Sequence, residues 1–87
     1  MLSSLIDLVY TELKPLDAKA SYFIAKELAL IDISLLWYED KHSDNIARLN
    51  SLAEHVKLTY KGNVKSKIVA GAIKSRASEI DEEEYII

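Results

Sequence analysis

Only three residues in this chain are strong helix breakers: Pro15, Gly62 and Gly71. The tight turns of a sandwich or barrel need residues that reach positive φ or hold a fixed one. Two glycines and one proline in 87 residues cannot supply them. Hydrophobic residues make up 49% and charged residues 29%, a balance that folds into a core instead of staying disordered. These facts predict an all-α fold of one domain. At this mass, folding hides roughly 64% of the unfolded surface, enough for one small core but not for a deep substrate cleft as well.

Apolar spacing places four helices on the chain. Leu5, Ile6, Val9 and Leu13 predict the first over 4–13, with Ser4 as its cap and Pro15 closing it. Asp17 is an effective N-cap, so the second is predicted over 18–39. Ala20, Phe23, Ile24, Leu28, Ile31, Leu35 and Tyr38 form its core stripe. Leu30, Ile33, Leu36 and Trp37 widen that stripe until the C-terminal half is apolar nearly all round. Such a helix must be buried on every side, either at the centre of the fold or against a second chain. A strand over 30–37 is the rival reading of so short an apolar run; the helix formers upstream favour the helix.

Ser43 or Asp44 is expected to cap the third helix, whose Ile46, Leu49, Ala53, Val56 and Tyr60 alternate by three and four. Gly62 ends it and Asn63 starts the fourth, predicted over 64–80 and burying Val64, Ile68, Val69, Ala72, Ile73, Ala77 and Ile80. The small Ala70-Gly71-Ala72 stretch is expected to admit a close neighbouring helix. Asp81-Glu82-Glu83-Glu84 then repel one another and oppose the helix dipole. The expectation is an irregular four-helix bundle over 1–80 and a flexible acidic tail over 81–87 ending in apolar residues.

Charge falls in blocks. Residues 1–54 carry five bases and nine acids, 55–78 six bases and no acid, and 79–87 five acids and no base. The basic block (Lys57, Lys61, Lys65, Lys67, Lys74 and Arg76) reads first as the solvated face of two helices, then as a surface for an acidic protein or for phosphates. A net charge of −3 argues against dedicated nucleic-acid binding, so nucleic acid is expected only indirectly or weakly.

Chemistry finds little to stand on. With no cysteine there is no thiolate nucleophile, zinc–thiolate site or disulfide framework. Nucleophile elbows and phosphate loops need glycines in spacings that are absent. An EF-hand loop from Asp40 would need glycine and glutamate where Asn45 and Ser51 stand, and His42 and His55 lack a metal-binding spacing. Asp32, inside the most apolar stretch, is the acid that burial could best adapt to general acid–base work. More often such an acid sits on a wet edge or pairs with a lysine. No catalytic residue, metal or cofactor is expected.

Partner contact is expected instead at Leu30, Ile33, Trp37 and Tyr38, and at the terminal Tyr85, Ile86 and Ile87. Absence of a bilayer-length apolar run and of a signal-peptide pattern predicts a soluble, cytoplasmic protein. Lack of glutamine and cysteine beside abundant Ile, Lys and Glu suggests a thermophilic source. The lysine-rich block 57–76 and the acidic tail 79–87, within this size and composition, resemble the small accessory subunit of a crenarchaeal B-family replicative DNA polymerase. The resemblance implies a non-catalytic adaptor docking on a larger protein of a DNA replication complex and carries over no site residues. Two other classes fit the composition. One is a small acidic immunity or antagonist protein that binds a basic toxin or nuclease; the other is a weak non-specific nucleic-acid binder acting through 57–76. The partner is expected to be a larger protein or another copy of the chain.

Overall fold

In the computed structural model the chain forms α1 (Ser3–Leu13), α2 (Ala18–Trp37), α3 (His42–Thr59) and α4 (Val64–Ile86). The structure describes residues 2–38 and 41–86, with side chains as far as Glu82. The expected all-α fold of four helices is the one observed, with no strand among the described residues.

Two of the helix starts have the local cause read from the sequence. Asp17 is extended and its Oδ1 accepts from the Ala20 N–H at 3.1 Å, satisfying one donor that a first turn leaves open. Asn63 Oδ1 accepts from the N–H groups of Lys65 and Ser66 at 2.8 and 3.3 Å. Gly62 just before it sits at φ +84°, the left-handed conformation that glycine adopts without steric cost. The buried Ser66 hydroxyl lies 2.8 Å from the carbonyls of both Tyr60 and Asn63, which ties the turn down.

The other two starts differ from expectation. Ser4 does not cap α1, and no side chain of its own segment does. The donor is satisfied from afar: Asp32 Oδ1 accepts from the Leu2 N–H at 3.0 Å. Helix α3 begins at His42, ahead of Ser43 and Asp44, again without a side-chain cap. Asp44 therefore lies inside the first turn, where its charge suits the positive end of the helix dipole.

Each connection is four residues long, which sets sequential helices side by side and antiparallel. Consecutive helices pack together and α1 closes the ring against α4, while among the described residues the diagonal pairs do not bring their Cα atoms within 8 Å. Leu5, Val9 and Leu13 enter the core from α1, and Ile24, Leu28 and Ile31 from α2. The most extensive pairing joins α3 and α4, where the buried Ala53, Ala70 and Ala77 keep side-chain bulk low. The radius of gyration is 12.6 Å, close to the roughly 12 Å expected for this length.

Helix α4 corrects three expectations. Its buried stripe is Ser66, Val69, Ala70, Ile73, Ala77 and Ile80, so Val64 and Ile68 project on the opposite side and are exposed. At 100° per residue they cannot share a face with Val69 and Ile73. Gly71 also faces outward, and a Cβ added there meets nothing within 4 Å; close approach to α3 is the work of Ala70. Finally, the helix does not stop at Ile80 but runs on to Ile86, so the boundary at 80 falls inside it. Adding a residue to an existing helix costs little beside starting one, and glutamate is a good helix former. Those gains outweigh the crowding of the acids.

Candidate protein-interaction surface

Helix α2 is 20 residues long and α1 only 11, a difference of about 14 Å of helix. The chain folds back after Leu13, so α1 covers α2 as far as Asp32, where Leu2 is bound, and then runs out. The last turn of α2 therefore carries Leu36 and Trp37 past the end of their neighbour. Trp37 is 76% exposed and Leu36 61%.

The uncovered face extends well back along α2. Core contact occupies one side through Ser21, Ile24, Leu28 and Ile31. On the opposite side Tyr22, Phe23, Leu30, Ile33, Leu36 and Trp37 are all exposed, within an arc of about 140° at 100° per residue. The expectation that this helix is buried all round holds for one chain on only one side. Phe23 and Tyr38, read from the sequence as core, belong outside it: Phe23 flanks the stripe of Ile24, Leu28 and Ile31, and Tyr38 comes after the helix ends at Trp37, with non-helical φ and ψ of −129° and 83°.

Between α2 and α3 the ring opens into a groove. One hollow of about 410 Å³ is lined by Phe23, Glu27, Ile31, Arg48, Leu52 and His55. A second of about 380 Å³ follows along the same seam, with Ser34, Tyr38, Asp44 and Asn45 around it. Arg48 borders both and pairs with Glu27 at 3.5 Å. The Phe23 ring meets His55 edge-on with centroids 6.4 Å apart. Buried Asn45 donates from Nδ2 to Ser34 Oγ at 3.0 Å, a polar link between these two helices.

Leu30, Ile33 and Trp37 are thus brought together on the outer face of α2, and Tyr38 stands at the end of the adjoining groove. Ile87 lies outside the described residues, as do the side chains of Tyr85 and Ile86, whose backbone is helical. The basic block is not one surface. Lys74 Nζ donates to Glu54 at 2.6 Å and Arg76 to Glu79 at 2.8 Å, while Lys57, Lys61, Lys65 and Lys67 are exposed around the α3–α4 turn.

Tyr22, Phe23 and Leu36 were missed as surface residues. The signal that finds Phe23 is a second periodicity, Lys19, Phe23, Lys26, Leu30, Ile33 and Trp37 at alternating spacings of four and three, and Tyr22 and Leu36 border it on one side. That is the seam of a helix packed on another helix, and it runs along the side facing away from this core.

Among the described residues no three His, Asp or Glu side chains gather as a metal site; Asp40, weighed with His42 and Asp44, lies outside them. No described helix is long and apolar enough to cross a membrane. Fold and surface together define a four-helix bundle with an uncovered apolar helix face. No protein-family model, curated protein or solved structure matches this chain.

Proposed function

We propose that the protein is a non-catalytic helical interaction subunit, an adaptor that works by offering the outer face of α2 to protein within a larger assembly. One observation carries the reading: six large apolar side chains are exposed on one face of α2. With the aromatics contributing about 150–250 Å² each when whole, the exposed part of the six comes to on the order of 600 Å². That is the top of the range for the largest patch on an ordinary monomer, and patches of this size are where proteins bind.

The basic segment supports nucleic-acid binding less well, since Lys74 and Arg76 each hold a carboxylate. The docking reading does not depend on the likeness to polymerase accessory subunits. The test is a photo-crosslinking residue placed at Ile33 in the full chain, activated in the cells that make it. A discrete protein adduct that disappears with Leu30→Glu is expected. Absence of any adduct would end this reading.

A further inference from the structure

We propose that two copies of the chain associate weakly through the outer side of α4, the two α4 helices lying antiparallel about a two-fold axis. This surface is separate from the outer face of α2, and charge is what selects its occupant. The first half of α4 carries Lys65, Lys67, Lys74 and Arg76 without an acid. The second half carries Glu79, Asp81, Glu82, Glu83 and Glu84 without a base. A lone helix is stabilised by the opposite order, acids in its first turn and bases in its last, and α4 has neither. The charges at both of its ends therefore oppose its own dipole. Lys65 and Lys67 hold no carboxylate among the described residues. An antiparallel second α4 mends all of this, since bases meet acids at both ends and the two dipoles oppose.

Burial fixes which side of the helix is available. With the stripe from Ser66 to Ile80 turned to the core, Val64, Ile68, Gly71, Ser75, Ser78 and Glu82 stand directly opposite it at 100° per residue. All six are exposed, and their spacings of four and three are those of a helix that packs on another. Lys65 and Glu79 flank this stripe on one side, Lys67 and Asp81 on the other.

In an antiparallel pair each flank meets the same flank of the partner. When Gly71 meets the partner's Ser75, Lys65 comes opposite the partner's Glu79 and Lys67 opposite its Asp81, and symmetry makes each pair twice. Every position in that register lies within Val64–Ile86. Lys74 returns beside its own copy near the axis, but Glu54 already neutralises it at 2.6 Å. Val64 and Ile68, both exposed, are covered by the same contact. A parallel pair would instead set Lys67 beside Lys67 and Glu82 beside Glu82, which repel. The contact is one helix wide and its ion pairs are screened, so the association is weak and sensitive to salt.

Sedimentation equilibrium of the full chain at up to about 1 mM tests the pairing. The expected result is twice the 9.8 kDa chain mass at about 0.05 M salt, returning to the single chain at about 0.5 M. Lys67→Glu and Asp81→Lys should each keep the helical circular dichroism and weaken the dimer at least about 10-fold. Mixed in equal parts, the two variants should pair again, because each supplies the charge that the other lacks. Lys65→Glu with Glu79→Lys repeats the exchange on the other flank. A wild-type monomer at every concentration and salt would overturn the pairing, as would a dimer indifferent to Lys67→Glu or variants that stay monomeric when mixed. Self-association abolished by Ile33→Glu but not by Lys67→Glu would overturn it in favour of a contact through α2. A monomer that binds a short DNA duplex through Lys67 would overturn it in favour of phosphates.

Discussion

The Asp32 carboxylate accepts the Leu2 backbone N–H at 3.0 Å, bridging 30 residues of sequence. An acid in the most apolar stretch of the chain therefore starts a helix that has no cap of its own. Leu2 is wholly buried, so the bond holds the chain end where its side chain closes the core. Asp32→Ala should lose about 1–2 kcal/mol, which lowers the melting temperature by about 4–8 °C per kcal/mol. Asp32→Asn, still an acceptor, should recover part of it. Equal melting of all three proteins would remove the anchoring role.

The two glycines should respond in opposite directions. Gly71 is helical, outward and free of neighbours, so Gly71→Ala should stabilise by about 0.5–1 kcal/mol. Gly62 at φ +84° is strained for any residue with a Cβ, and Gly62→Ala should cost about 1 kcal/mol. Chemical denaturation measures both. A destabilising Gly71→Ala would mean that something packs on α4 at that point.

Tyr60 makes the fold sensitive to alkali. Burial pushes its phenol above the ordinary 10.0, and the nearby Asp17 carboxylate pushes further the same way. Its hydroxyl is buried and makes no hydrogen bond of good geometry among the described residues. The folded state thus favours the neutral phenol. That contribution is fully present below the ordinary pKa and is lost as pH rises through the raised one. Between about pH 9 and pH 12 the wild type should lose more stability than Tyr60→Phe, whose ring cannot ionise. Parallel stability curves for the two would contradict this.

Glu54 should titrate below the usual carboxylate range, because Lys74 donates to it at 2.6 Å and adds its charge, with Lys57 contributing less. A depressed carboxylate stabilises the fold above its ordinary pKa and ceases to as pH falls through the lowered one. The pair is exposed, so solvent screens it heavily. Lys74→Met should return Glu54 toward its ordinary 4.5 in an NMR titration and leave the melting temperature almost unchanged. An unmoved Glu54 would place the cause elsewhere.

What was legible in the sequence was local. Asp17 and Asn63 announce helix starts because a cap bonds a donor two or three residues away, and Gly62 announces a turn because the requirement is its own φ. The alternation of Ile46, Leu49, Ala53, Val56 and Tyr60 marks the inner side of α3 because its opposite side is polar. Where both sides of a helix are apolar, as in α2, periodicity offers two stripes and no means of choosing between them. For that reason the sequence puts Phe23 in the core stripe, although Leu30, Ile33 and Trp37 are already expected at a partner contact.

The sequence by itself therefore determined that this chain is four helices, and where two of them begin, since those outcomes depend on backbone geometry and near neighbours. Tertiary structure decided which side of α2 is wet, because burial is a relation between elements. An 11-residue α1 cannot reach the last turn of a 20-residue α2, and no residue of α2 records the length of its neighbour. It likewise decided the work of Asp32, whose partner lies 30 residues away and is brought to it only by the antiparallel return of the chain.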